Sequence, residues 1–354
     1  MIRKKYVIYI VLLLSILTGI FYIAQQRNSY KLQKNNQSET LQIDIALLDY
    51  RQMASEDGSE LYRNLLEQAS QIARQSNALL FQDERKFIDT SIELTAIQEK
   101  AQTLDGFADI VSLQKTRTQI QRDKVYYQNL KQDHETLSLG KQSFGRLLVS
   151  LLSMLGFVWF PLMSLVNSRL VVEEKDHESL VKGQPRSLIQ RLVRICGKRF
   201  LVIMGIFIGS ISYLALLQFF DNKLFGDFGS VEVIKQQVFV VISVLGKMSY
   251  FVLFGALLYL ASFLLSIMLN TITNNSYVTV IVECLVYSLL FLFPSIIQLS
   301  VFQWLGILSP SLIIDGQWNL STNQGLIILI TMILILFIIC VWQLTFTKRG
   351  RQYE

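Results

Sequence analysis

The residue types that carry most enzyme chemistry are few in this chain, and their spacing suits none of the common motifs. The two histidines, His134 and His177, are each followed by a glutamate (Glu135, Glu178), but no second histidine falls at H-E-x-x-H spacing. The three cysteines, Cys196, Cys284 and Cys340, show no C-x-x-C spacing and avoid the large polar segment, so neither a disulfide framework nor a zinc site is expected. Glu173 and Glu174 are the paired glutamates of an intramembrane metalloprotease in type only. They fall outside the apolar runs, and no histidine lies inside one to complete a metal site. No G-x-x-x-x-G-K-[ST] phosphate loop occurs. The nearest approach, Leu139-Gly140-Lys141-Gln142-Ser143, lacks the upstream glycine and a preceding strand. A G-x-S-x-G nucleophile elbow is absent too. The expectation is a chain that is not an enzyme and binds no cofactor or metal of its own.

What carries the polar residues is a set of long apolar runs. Of 354 residues, 51% are hydrophobic and only 17% charged, against roughly 25% charged in soluble domains. The mean hydropathy is +0.39. A helix needs about 20 apolar residues to cross roughly 30 Å of hydrocarbon, and inside lipid such runs must be helical to satisfy their own backbone. The fold class expected is therefore all-α: a polytopic membrane protein with about six transmembrane helices, plus a helical hairpin domain outside the membrane. The net charge of +6 sits beside the apolar runs, as the positive-inside rule requires, so no nucleic-acid partner is expected.

The first span is expected within residues 1–24, where Arg3, Lys4 and Lys5 precede an apolar run too long for a signal peptide. The second falls within 144–166, with Pro161 inside it. A hydrophilic segment, 167–199, is rich in bases and reads as cytoplasmic. Residues 200–346 hold the remaining spans: 200–220, 238–269, 277–299 and 325–346. The run 238–269 is too long for one straight crossing and is expected to tilt or break, near Gly246 or Gly255. Residues 270–276 read as a short polar loop, and 347–354 as a cytoplasmic tail. An even number of crossings puts both basic termini inside and residues 25–143 outside the cell.

Residues 25–143 are polar and contain no proline. Leu61, Leu65, Ala69, Ile72, Leu79 or Leu80, Ile88, Ile92 and Ala96 follow a helical rhythm that points to one long helix. A break is expected at Asp105-Gly106, and Leu113, Ile120, Tyr127, Leu130 and Leu137 continue in a second helix. Together they predict an antiparallel, coiled-coil-like hairpin, a solvated stalk that either docks a substrate or partner or acts as a spacer.

The stretch with the most information lies between the second and third spans. It reads Val171-Val172-Glu173-Glu174-Lys175-Asp176-His177-Glu178-Ser179-Leu180, then Gln184-Pro185-Arg186-Ser187 and Gly197-Lys198. Acids come first and bases last. Leu180, Leu188, Leu192 and Ile195 form an apolar stripe with Arg191 and Arg194 off it, which fits an amphipathic helix along the membrane face. The bland reading is a loop whose charges solvate it and fix orientation.

These residues resemble the intracellular loop of ABC-2 type transporter permeases. That family carries an E-[KR]-x-x-G-T-[LW] element after its second span, a Pro-Ser-Arg-like turn, and a Gly-Lys before its third. Glu174-Lys175 matches, Ser179-Leu180 matches with serine for threonine, Pro185-Arg186 matches loosely, and Gly197-Lys198 matches. Glu178 departs from the pattern, standing where the family has glycine. Leu308-Ser309-Pro310 with Asp315-Gly316 is similar to that family's outer loop, which dips back into the membrane near 300–320 as short helices. The resemblance covers residues 1–24 and 145–346. It implies a permease that pairs with a separate cytoplasmic ABC ATPase, which would hold ATP and magnesium, and with a second permease, a copy or a sister. Glu173, Glu174, Lys175, Ser179, Leu180, Pro185, Arg186 and Arg191 would form the ATPase-coupling surface. Peptides, antimicrobial compounds or lipids are the substrates it implies.

Two ionisable residues fall inside expected spans. Such groups cost roughly 2.5–3.5 kcal/mol to insert and invite a functional reading. Glu283 lines a translocation path, pairs across the subunit interface or snorkels to the near interface, and Lys247 is expected to snorkel. No span shows a repeated polar face suited to a hydrated pore. A rival reading is a membrane-anchored sensor or scaffold that uses the outer hairpin.

Overall fold

The computed structural model describes residues 15–16, 18–25, 28–53, 59–133, 137, 139, 143–169, 188–220, 231–292, 300–318 and 320–350. They divide into two compact units, residues 1–150 with 213–247, and residues 151–212 with 248–354.

The first unit is built on α1 (Asn28–Met53), α2 (Glu60–Leu80), α3 (Glu84–Ala101), the single turn α4 (Phe107–Ile110) with a 3-10 turn (Val111–Leu113), and α5 (Arg117–Gln132). Polar side chains cap the starts. Ser59 accepts from the Tyr62 N–H, Asp83 from the Lys86 N–H, and Thr116 and Gln119 form a reciprocal capping box. α1 packs on α2, α2 on α3, and α3 on α5. Their inward faces make stacked apolar layers: Ala46, Leu61, Leu65, Ala101 and Ile110 in one, Ile43, Ile72 and Leu94 in the next, and Ala78, Leu79, Phe87, Ile88 and Leu130 in the third.

This corrects the long helix expected from Leu61 to Ala96. The chain turns back after Leu80, because Gln82 takes a left-handed conformation (φ 54°). The Asp83 N–H then reaches the Ala78 carbonyl at 2.9 Å and the Gln82 N–H reaches Leu79 at 3.3 Å, which is a Schellman ending. Asp83 at once caps the next helix. The expected break at Asp105-Gly106 is present, with Gly106 at φ 80°. A non-glycine residue in the left-handed region costs roughly 1–2 kcal/mol, partly offset by glycine's greater freedom in the unfolded chain. Gln82→Gly is therefore expected to stabilise the α2–α3 turn by about 0.5 kcal/mol. Slower amide exchange at Asp83 and Phe81 would report it, and faster exchange would contradict it.

The bundle is also not a plain solvated stalk. Asn36, Asn64, Gln68, Gln75 and Gln98 are buried. Asn36 donates to the Ile72 carbonyl at 3.2 Å and to Gln75 at 3.3 Å, and Gln75 donates to Ser91 at 2.8 Å. Such a polar layer ties three helices at one height and fixes register, as a buried asparagine does in a coiled coil. Lys115 closes the α1–α5 side through Glu39 (2.8 Å) and Asp123 (3.1 Å). Burial alone would lower its ammonium pKa, but the two carboxylates outweigh burial and hold it above the usual range.

Residues 18–25 are helical, and the Tyr22 hydroxyl donates to the Leu217 carbonyl at 3.3 Å. The unit also contains an antiparallel β-hairpin, β1 (Val231–Lys235) paired with β2 (Phe239–Ser243) in the register Val231↔Ser243 to Lys235↔Phe239. It packs on α5, and Val241 sits against the third apolar layer. So the chain is mostly helical, with this one hairpin among the described residues. The expected long fourth span resolves here: residues 239–243 are strand, and the helix starts only at Val244.

The second unit draws on α6 (Phe144–Asn167), α7 (Leu188–Phe220), α8 (Val244–Thr273), α9 (Ser276–Leu292), a 3-10 helix (Ser300–Leu308), α10 (Pro310–Ile314) and α11 (Thr322–Gly350). Four of these, α6, α7, α8 and α11, are long and apolar enough to cross a membrane. α9 has 17 residues, about 26 Å of helix at 1.5 Å per residue, and the expected remainder of that span, residues 293–299, lies outside the described residues. The expected first span is described only from residue 15. Pro161 lies within α6 without ending it.

Residues 300–314 fold as the two short helices, and Pro310 to Ile314 are all buried. They are held to α6 by Ser311 donating to the Ser153 carbonyl, by Ser153 donating to Asp315 at 2.9 Å, and by Ser309 donating to the Gly156 carbonyl at 3.5 Å. A Cβ on Gly156 would strike the Ser311 hydroxyl and approach the Phe251 ring to 3.0 Å, so glycine is required for this close approach.

Candidate functional site

α6, α8 and α9 bury a seam of polar side chains where lipid-facing helices ordinarily carry apolar ones. On α6 the residues are Ser164 and Asn167, on α8 Ser262, Ser266 and Asn270, and on α9 Thr279 and Glu283, all with 0% exposure. The spacing explains the convergence. Residues three or four apart share a helix face, so each helix presents one polar stripe. On α9 the opposite stripe, Tyr277, Ile281 and Leu285, is apolar and exposed.

The bonds cross between helices. Asn167 donates to Ser262 at 3.5 Å, Asn270 donates to the Ser168 carbonyl at 2.6 Å, and Thr279 donates to Asn270 at 2.8 Å. Ser266 donates to Glu283 Oε1 at 2.7 Å. Ser164 lies against the same carboxyl group but short of hydrogen-bond geometry. Further along α8, Thr271 donates to Gln343 of α11 at 2.8 Å. In membrane proteins each such bond is worth about 0.6 kcal/mol and at most about 1.7, so the seam fastens the helices modestly and specifies their register.

Three buried oxygens in the seam have no hydrogen-bond partner among the described residues: Glu283 Oε2, Asn167 Oδ1 and Ser164 Oγ. A buried carboxylate without a counter-charge is costly, so its charge must be neutralised. Glu283 therefore does not snorkel. Lys247, expected to snorkel, is also buried (5% exposed) and pairs with Glu232 of β1 at 3.1 Å.

The first turns of α7 are the second notable feature. They are the start of one 33-residue helix that continues into the apolar span. From residue 188 the expected amphipathic helix is thus continuous with the span, and its earlier part, residues 180–187, lies outside the described residues. Leu192 is buried with Phe263, Ile267 and Cys340, and Ile195 and Cys196 pack beside them. The Tyr259 hydroxyl donates to the Cys196 carbonyl at 2.8 Å, and Arg199, buried, donates to the Val166 carbonyl. Arg191 is partly buried, while Arg194 and Lys198 are exposed.

Of the residues expected to couple to an ATPase, Glu173, Glu174, Lys175, Ser179, Leu180, Pro185 and Arg186 lie outside the described residues. Arg191 alone is described, at the basic end of α7. Asn270, expected in a loop, is inside α8, and the loop shrinks to Asn274 and Asn275. The seam residues on α6 and α8 are missed by a search for ionisable groups, and the i, i+4 repeat Ser262, Ser266, Asn270 is the signal that marks them. It is a repeated polar face after all, though one packed against neighbouring helices instead of lining a hydrated pore. No family model, no curated protein and no solved structure matches the chain.

Proposed function

We propose that this chain is the membrane-spanning permease subunit of a transporter driven by a separate cytoplasmic ATPase. The observation that carries the reading is α7. Its basic first three turns run without a break into an apolar span. They are fastened through Leu192, Cys196 and Arg199 to the helices that hold the polar seam. A force applied near residues 188–199 would move that span as a rod and reach α6 and α8 directly. The acidic-then-basic segment before it, Glu173, Glu174, Lys175, Ser179, Leu180, Pro185 and Arg186, resembles the coupling loop of ABC-2 permeases and supplies the docking surface.

In this reading the basic termini are cytoplasmic and the bundle of α1–α5 is extracellular. ATP and magnesium belong to the partner ATPase. A second permease, a copy or a sister, completes the pathway, and a peptide, antimicrobial or lipid-like molecule is exported or extracted from the membrane. The rival, a sensor or scaffold anchored by the same helices, needs no ATPase.

Charge reversal at the centre of the docking surface tests the proposal. Glu174→Lys is expected to lower the ATP turnover of the purified complex roughly tenfold, equivalent to about 1.4 kcal/mol of lost contact, while leaving membrane levels unchanged. Full turnover in the variant would remove Glu174 from the coupling surface.

A further inference from the structure

We propose that the turn between α2 and α3, which carries Leu80 and Phe81, inserts into the headgroup region of the membrane that α6 and α8 enter. Leu80 is 69% exposed and Phe81 82%. Turns favour glycine, asparagine, aspartate and serine, so two adjacent large apolar side chains beside the left-handed Gln82 are not what water selects at a tip. The apolar layers of the bundle give the tip its height. α1 runs from Leu32, beside the third layer, through Ile43 in the second to Ala46 in the first, and α2 returns from Leu61 through Ile72 to Leu79. The tip therefore lies at the third-layer end.

That end is where the chain enters the spans. Leu137 and Leu139 belong to the third layer and shortly precede Phe144, the start of α6. Val241 packs on the same layer and precedes Val244, the start of α8, by three residues, at most about 10 Å of chain. All of these residues lie in one compact unit. The 30 residues of α8, about 45 Å of helix, match a bilayer with its headgroups, about 40–45 Å, which sets Val244 at headgroup level. Phe81 is two residues past Leu79, so the tip reaches the same level. Lipid is what surrounds the protein there. Charge points to no other occupant: Arg85 and Lys86 are offset by Asp83 and Glu84, and Lys131 pairs with Asp89 at 2.7 Å. With these charges balanced, the apolar pair drives the contact, as leucine and phenylalanine do on interfacial helices. The insertion goes beyond the permease reading and stands independently of it.

The test is quenching of tryptophan emission in the full-length protein, held in nanodiscs of phosphatidylcholine brominated close to the headgroup. Phe81→Trp and Val111→Trp each add one indole to the four native tryptophans, and the added emission is read as the difference from the unmodified chain. Val111 is 57% exposed and follows Ile110 of the first layer, so it is the reference at the far end of the bundle. Insertion to the depth of an interfacial segment, about 5–10 Å, is expected to quench the indole at 81 about threefold and to leave the one at 111 unchanged. Phosphatidylglycerol mixed into the discs should alter neither value. Should Phe81→Trp fail to fold, Leu80→Trp carries the comparison. Equal quenching at the two ends, or none at 81, would overturn the insertion. In the second case an indole open to aqueous acrylamide leaves the tip in water, and one shielded from both quenchers means that a protein covers it. Quenching seen only with the anionic lipid would overturn the apolar driving force and the proposal with it.

Discussion

Phe87→Ala is expected to remove most of the stability margin of the α1–α5 bundle, at a cost of about 3–5 kcal/mol. Phe87 is 4% exposed and sits at the centre of the third apolar layer, against Ala78, Leu79, Ile88 and Leu130. Its ring meets Tyr127 edge to face, with centroids 6.2 Å apart and planes at 73°. Truncation loses the buried ring, leaves a cavity that helices fixed by caps and the Asn36–Gln75–Ser91 layer cannot close, and forfeits an aromatic pair worth about 0.5–1.5 kcal/mol. Whole domains are stable by only about 5–15 kcal/mol. Amide exchange in the full-length protein is the readout. A loss of about 3 kcal/mol accelerates exchange through α2 and α3 by more than a hundredfold, at about 1.4 kcal/mol per decade. Phe87→Leu, which keeps most of the volume, should cost less than half as much. Acceleration of only a fewfold in Phe87→Ala would mean that this layer is not the bundle's core.

The second large effect is at the root of the β-hairpin. Glu232→Ala is expected to cost about 3 kcal/mol or more, because it strips the carboxylate from a buried ammonium. The Lys247 side chain is 6% exposed and its partner's 20%, so the two ends of the pair are unequal. Lys247 is the more deeply buried end, so it is left worse solvated by the loss of Glu232 than Glu232 is by the loss of Lys247. Lys247→Met should therefore cost clearly less than Glu232→Ala, and the double variant Glu232→Ala with Lys247→Met should recover most of the loss. Exchange of the β1 and β2 amides reports all three. Equal losses in the two single variants, with no recovery in the double, would contradict the buried pair.

The apolar helices were the most legible part of the chain, because runs of about 20 apolar residues have few other homes. α6, α7, α8 and α11 fall where those runs predict. The hairpin was hidden by its composition. Phe239 to Ser243 is an apolar run like any span, and its turn, Gln236-Gln237-Val238, lacks the glycine, asparagine or aspartate that marks most hairpins. The reversal at Gln82 was hidden in the same way, since glutamine occupies a left-handed position where glycine or asparagine is the usual signal. Asn274, at φ 51° after α8, is the legible counterpart, and there a loop was expected.

Burial of polar groups was the least legible. Glutamines on α2 read as solvent-facing by type, and only the packing of three helices around Gln75 reveals an internal layer. Glu283 was singled out because a lone acid in an apolar run is costly. Its partner Ser266 and its neighbour Ser164 were not, because serine is common in membrane helices and gives no signal until the faces are brought together.

The permease reading is tested most directly by purifying the tagged full-length chain from its native host in mild detergent and identifying what remains bound. The account predicts a soluble P-loop ATPase in the complex, lost when Glu173, Glu174 and Lys175 are replaced together, and a second permease that is either a copy or a sister. A complex that survives the purification intact yet contains no ATPase would contradict the account and turn attention to the α1–α5 bundle as a sensor or scaffold.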